Sequence, residues 1–223
     1  MKLEKLTKRW YDDACGTALA MELVGERWSL LIVRELMFGA RRFGEIKGGL
    51  GGISANVLTQ RLEGLEAAGI VVRRKLPPPA SVQVYELTEW GYQSETAIQE
   101  LGRWAVRSPA HDPSLPLSPA SLMISFRTML ARERIGDLDV VIGFRFGAEM
   151  FRTRLDATGF AVARAEPDDA ALTFDATPPA IAAVVYGGLP LADAEAAGML
   201  RLSGDRALVE RFITLFPLPP KTA

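Results

Sequence analysis

The sequence predicts an α+β chain of two domains, and three observations carry that prediction. The first half runs helix, helix, helix, strand, strand, helix when read by hydrophobic period and β-branched content. A stretch reading "SPAHDPSLPLSP" then places four prolines in residues 108 to 119, the composition of a linker. Beyond it, four successive strand-like runs lie between apolar helical segments. The expected organisation is a first domain over 1–107, a linker over 108–119, and a second domain over 120–223 built as an antiparallel sheet with helices gathered round it.

Composition agrees with folded domains. The 223 residues are 48% hydrophobic with a mean hydropathy of +0.11. No apolar run approaches the ~18 residues that a spanning helix needs, and the first twenty residues show no signal peptide. A single cysteine cannot close an internal disulfide, which fits a reducing cytoplasm. The net charge of -1 hides a modest asymmetry: residues 1–107 hold 15 Lys+Arg against 13 Asp+Glu, and the remainder holds 11 against 14. In the first half the cations are grouped, as Arg41-Arg42 and as Arg73-Arg74-Lys75.

Taken in order, Thr17 to Phe38 reads as helix, broken near Gly25, with Leu23, Trp28, Leu31, Ile32 and Leu36 as candidates for its buried stripe. Gly39 stops it, and a short helix runs from about Arg42 to Ile46. The turn "KGGLGG" follows, and Ser54 stands where an N-cap belongs. The next helix continues until Gly69 supplies a stop. "IVVRRKL" and "SVQVYELT" are strands joined through "PPPA", and a last helix spans Thr88 to about Arg107. That order is the order of a winged helix-turn-helix, in which the third helix enters the DNA major groove and the hairpin reaches the flanking backbone.

At 100° per residue, Leu58, Leu62 and Leu65 share one narrow arc and must face the core. Asn56, Thr59, Gln60 and Glu63 lie on the other side. Asn and Gln pair bidentately with adenine, and Thr touches a thymine methyl or a phosphate. Arg61 falls on the flank, suited to a phosphate contact or an internal ion pair. On spacing alone, a solvated face is the plainer reading of that side.

The surroundings of that helix resemble a known family. Cys15 before a helix, "GERW" followed by "LLIVREL", "GARRFGEI", "GIS", "VLTQRLEGLE", "GIV" and "YELTEWG" look like the DNA-binding domain of HxlR-type transcriptional regulators, a branch of the winged-helix group that includes MarR-like proteins. The resemblance spans roughly residues 10 to 100. It implies a homodimer held by helices from both ends of the domain, double-stranded operator DNA as partner, Ser54 to Ala68 as recognition helix, and phosphate contacts from Arg41 and Arg42. Arg74 and Lys75 are expected on the DNA backbone as well. Two departures stand out. The wing at Ala80, Ser81 and Val82 lacks the family's usual cation, and Asn56 stands where many members carry lysine. Specificity is therefore expected to lean on base contacts more than on phosphates. Cys15 aligns with a cysteine that is a redox sensor in some relatives; the alternative is a small buried residue at a dimer interface.

In the second half, Ser118-Pro119 opens a helix through "ASLMISFRTMLARER". "DLDVVIGFRFG", "MFRTRLD", "GFAVARAE" and "AALTFDAT" are four strands, "PPAIAAVVYGG" a helix, and "GMLRLSGDRALVERFITLF" a strand and a closing helix. The tail and the segment ahead of it resemble the sterol carrier protein fold. That resemblance implies an apolar tunnel and a hydrophobic small-molecule effector. Phe144, Phe146, Met150, Phe151, Phe174, Val184, Val185, Phe212 and Phe216 either line such a pocket or form an ordinary filled core.

No enzyme is expected. The only histidine, His111, lies in the linker, and neither a nucleophile triad nor a metal-ligand cluster can be assembled. No cofactor is implied. Asp168 and Asp169 read as turn residues, and "GGLGG" lacks the Lys-Ser/Thr of a phosphate loop.

Overall fold

A computed structural model describes residues 11–222. The chain forms two compact units, with the division between Ile98 and Gln99.

The first unit begins with α1 (Gly16–Val24), α2 (Ser29–Leu36), α3 (Phe43–Gly49) and α4 (Ala55–Ala67). A hairpin of β1 (Val71–Lys75) and β2 (Gln83–Leu87) follows, then α5 (Glu89–Gln93) and the start of α6 (Glu95–Ala105). Its core is Ile32, Val33 and Leu36 from α2, Ile46 from α3, the three leucines of α4, and Val84 and Leu87 from β2. Local chemistry sets the ends of these elements. The Ser54 hydroxyl accepts from Val57 N at 3.2 Å, capping α4, and Gly69 ends it at φ +72°. Thr88 accepts from Gly91 N and donates to the Gly69 carbonyl at 2.7 Å, fastening α5 to the turn before β1. Gly91 has to lack a side chain there, because a Cβ would lie 2.3 Å from the Ile70 carbonyl oxygen.

The single helix expected from Thr88 onward is two. Ser94 is the C-cap of α5, its hydroxyl donating to the Gly91 carbonyl at 2.6 Å, and the chain restarts as α6.

The second unit contains α7 (Pro119–Met129), β3 (Val140–Phe146), β4 (Glu149–Asp156), β5 (Gly159–Ala163) and β6 (Leu172–Ala176). It closes with α8 (Pro178–Val185), α9 (Leu191–Ala196), β7 (Leu200–Gly204) and α10 (Arg206–Ile213). The strands form one sheet in the order β5-β4-β3-β6-β7. An all-antiparallel sheet was the expectation, and this is corrected: β3 and β6 pair in parallel, Phe144 against Phe174. After the β3-β4-β5 meander, the chain returns across the sheet to lay β6 on the free side of β3. Gly143 makes the return feasible, since a Cβ there would sit 2.6 Å from Pro167 of the crossing segment. Helix α9 has no counterpart in the sequence reading, because six residues show less than two turns of helical period.

Aromatic rings fill the space between sheet and helices. Phe126 of α7 lies at their centre, with ring centroids 4.5 Å from Phe216, 5.4 Å from Phe212, 5.8 Å from Phe144 and 5.9 Å from Phe160. Phe144 stacks on Phe174 at 5.2 Å. Of the residues expected to line a pocket, Phe144, Phe151, Phe174, Phe212 and Phe216 are buried in this packed cluster, and Phe146 stacks at its margin. Met150 is corrected, and Val184 is part of a filled core elsewhere. Met150 is on the opposite face of the sheet, paired with Arg145, because β4 turns Phe151, Thr153 and Leu155 inward and alternation sends Met150 out. Val184 belongs to a satellite cluster with Ala194 and Leu200. The outward face carries Arg145, Arg152, Arg154 and Arg201, each paired with a carboxylate, and Asp169 serves Arg152 at 2.6 Å.

Phe126→Ala should cost about 3–5 kcal/mol, the range for deleting a buried aromatic side chain. Urea unfolding followed by near-ultraviolet circular dichroism would measure it, and a loss below about 1 kcal/mol would mean that the rings are not tightly packed.

Candidate nucleic-acid interface

Helix α4 presents two distinct sides. Leu58, Leu62 and Leu65 are at most 1% exposed, whereas Asn56, Thr59, Gln60 and Glu63 are open to solvent. The exposed set is short, polar and held on a helix anchored at both ends, by the Ser54 cap and by Ile70 N donating to the Leu65 carbonyl at 2.9 Å. Such side chains can offer paired donors and acceptors to base edges without having to order a flexible backbone first. The Ser54 hydroxyl is engaged in the cap, although the residue itself is exposed.

The cations expected to meet phosphate divide into engaged and available groups. Arg41 is corrected: it is 8% exposed, its backbone pairs both ways with Tyr85 at 2.8 Å, and its guanidinium lies 3.8 Å from Glu45. It joins the start of α3 to the edge of β2. Arg42, one residue on, is exposed, and its backbone N–H donates to Glu45 Oε2 at 2.8 Å. Arg61 takes the internal alternative, with Nη2 2.9 Å from Glu26 and Nε 3.1 Å from the Arg27 carbonyl. Arg73 pairs with Glu66 at 3.4 Å, and Arg74 pairs across the hairpin with Glu86. Among the described residues, Arg42, Lys47 and Lys75 form no ion pair. Lys47 had no signal in the sequence beyond its charge. Arg73, Arg74 and Lys75 line an open groove of about 420 Å³ with Ser81 and Gln83, so the cationic surface of the hairpin is on β1 and not at the wing tip.

Cys15 is exposed at the N-cap position of α1, and its own N–H donates to Asp13 at 2.8 Å. Hydrogen bonds from the Thr17 backbone and hydroxyl, and from the Ala18 backbone, hold its thiol below the usual cysteine range.

Helices α1 and α6 each bury no residue. Leu19 and Met21 on α1 are 38% and 42% exposed, and Leu101 and Trp104 on α6 are 46% and 73% exposed. These apolar side chains are uncovered among the described residues. No cluster of metal ligands exists among the described residues, and no described helix is long and apolar enough to cross a membrane.

Comparison with known proteins gives this arrangement a family. Residues 23–112 match the HxlR-like helix-turn-helix family. The chain is 41% identical over 86 residues to the HTH-type transcriptional regulator YodB of Bacillus subtilis, covering 39% of this chain and 77% of that protein. It is 40% identical over 104 residues to an HTH-type transcriptional regulator of Mycobacterium tuberculosis, covering 47% of this chain but only 64% of the relative. The chain belongs to the HxlR-like helix-turn-helix family. A solved structure of reduced YodB aligns with 45% of this chain and all of its own, at 36% identity and a TM-score of 0.40.

Two substitutions should separate the neighbouring arginines. Arg41→Ala should lower stability by about 1–2 kcal/mol in urea titration, and Arg42→Ala should stay within about 0.5 kcal/mol of the parent. For Cys15, iodoacetamide alkylation followed across pH should have a lower midpoint in the folded protein than in urea, since folding favours the thiolate. Coincident midpoints would remove the helix-start effect.

Proposed function

We propose that the chain is a homodimeric, sequence-specific regulator of transcription that binds double-stranded operator DNA through α4. The observation that carries this reading is the exposed Asn56, Thr59 and Gln60 face on a helix whose opposite side is locked into the core. The two-fold of the dimer would set two such helices into successive major grooves, about one helical turn apart. The uncovered apolar faces of α1 and α6 support dimerisation by those helices. Arg42 and Lys75, whose side chains form no ion pair among the described residues, are the best placed cations for phosphate, and Arg74 lies beside Lys75 in the groove. The first 107 residues act as the DNA-binding and dimerisation domain and residues 120–223 as a regulatory module, joined through the proline-rich 108–119 in a cytoplasmic protein.

The regulatory module is read as sterol-carrier-like, responsive to a hydrophobic small molecule. A mixed sheet whose inner face is aromatic and covered by helices supports this, together with one polar pair among the rings, Ser125 to Tyr186 at 2.7 Å. Burial pushes the Tyr186 phenol well above its ordinary range, so it stays a neutral donor and acceptor. An effector would have to part rings that are packed on one another, and native mass spectrometry of the purified protein would reveal a retained apolar molecule. A regulator switched by Cys15 is the second reading, favoured by the exposed thiol at a helix start. It predicts that oxidation alters DNA binding in the parent and leaves Cys15→Ser unaffected.

Gel-shift titration against the upstream region of its own gene, at two salt concentrations, tests the main reading. The Asn56→Ala/Gln60→Ala double variant should lose preference for that region over random DNA by about tenfold or more, at 1–3 kcal/mol per bidentate contact, while keeping its weak general affinity. Arg42→Ala and Lys75→Ala should each lower the slope of log affinity against log salt by about 0.9. Equal weak binding of the parent to both DNAs would overturn the proposal.

A further inference from the structure

The turn between α1 and α2, Gly25 to Trp28, contains a backbone conformation that its sequence does not favour. Trp28 has φ +82°, in the left-handed region, where a large aromatic residue is a true outlier. Residues keep such conformations when their surroundings over-determine them. The Arg27 guanidinium lies 5.2 Å from the Trp28 ring centroid, and the Trp28 carbonyl accepts Ile32 N at 2.8 Å, opening α2. Beyond those local contacts, a long-range side chain among the described residues reaches in. Arg61 of α4, 34 residues further on, donates Nε to the Arg27 carbonyl at 3.1 Å and Nη2 to Glu26 at 2.9 Å.

The Arg27 carbonyl belongs to the peptide plane whose rotation changes φ of Trp28. Relief of the left-handed conformation would turn that plane and swing the carbonyl away from its present direction. A guanidinium hydrogen-bonded to that oxygen opposes the rotation, and Glu26 fixes the guanidinium in its turn. Arg61 is adjacent in sequence to Gln60, so its two bonds tether the exposed face of α4 in addition to the buried leucines that set the rotation of the helix.

The geometry points to the Gly25–Trp28 turn as a latch closed by Arg61, which makes Arg61 and Glu26 positioning residues for the exposed face of α4 and not contacts to DNA. The proposal rests on the reading of α4 as the DNA-reading helix. A phosphate contact and a latch predict opposite results at Glu26. If Arg61 met phosphate, removing the neighbouring acid would free the cation and tighten binding. If Arg61 closes a latch, removing the acid loosens the helix and weakens discrimination.

The test uses the full chain in three forms: parent, Arg61→Ala and Glu26→Gln. Hydrogen exchange is measured by mass spectrometry in the free protein, and gel shifts are run against upstream and random DNA at two salt concentrations. Both variants should exchange faster over the amides of Ser29 to Ile32. Both should lose about two- to fivefold in preference for upstream DNA, the scale of a partly exposed ion pair, with an unchanged salt slope. Tighter binding by Glu26→Gln, or a slope lowered by about 0.9 in Arg61→Ala with preference intact, would overturn the latch in favour of a phosphate contact. If the parent shows no preference, the DNA reading fails on its own account. Exchange then decides the latch, and unchanged rates in both variants overturn it.

Discussion

Burial of one side of α4 is the constraint on which the first unit depends. Leu58, Leu62 and Leu65 are at most 1% exposed, and each fully buried leucine is worth roughly 1.5–3 kcal/mol of transfer free energy. Together they are comparable with the whole net stability of a small domain. No rotation of α4 can therefore hide Asn56, Thr59 and Gln60 without exposing those leucines. The polar face is set by the apolar one, and the two ends of the helix are fixed by Ser54 and by the Ile70 to Leu65 hydrogen bond.

Around that helix, cations serve the protein before they serve any partner. Arg41 is drawn into the joint between α3 and β2, Arg61 into the turn before α2, and Arg73 and Arg74 into pairs with Glu66 and Glu86. What remains open is a small set of positive charges, beside carboxylates of similar number. A surface of this kind has little long-range pull on a polyanion, and under the proposed function discrimination would rest on the shape and hydrogen bonding of the α4 face.

The second unit solves a different problem, that of covering a five-stranded sheet on one side. It does so with interlocking phenylalanines from α7, the sheet and α10, and leaves the other side to arginine-carboxylate pairs. Exposed pairs of that sort contribute little each, so the stability of the unit resides in the rings. The mixed topology is compatible with a close passage of Pro167 over Gly143, where a side chain would not fit.

Whatever depends on near neighbours is legible in the amino-acid order alone. Helix periods, the caps at Ser54, Thr88 and Ser118, the stop at Gly69, the hairpin and the polar side of α4 are all written in residues three to seven apart. The family was legible for the same reason, since its motifs are local strings. The tertiary fold settled which cations are engaged: Arg61 meets Glu26 across 35 positions of chain, and the backbone bridge of Arg41 to Tyr85, across 44, leaves the Arg41 side chain buried beside Glu45. It also decided that β6 runs parallel to β3, that Met150 faces away from the rings, and that Val184 belongs to another cluster. Strand order and face are settled by which long-range pairs bury the most apolar surface at once, a sum over the whole unit that no window of sequence contains.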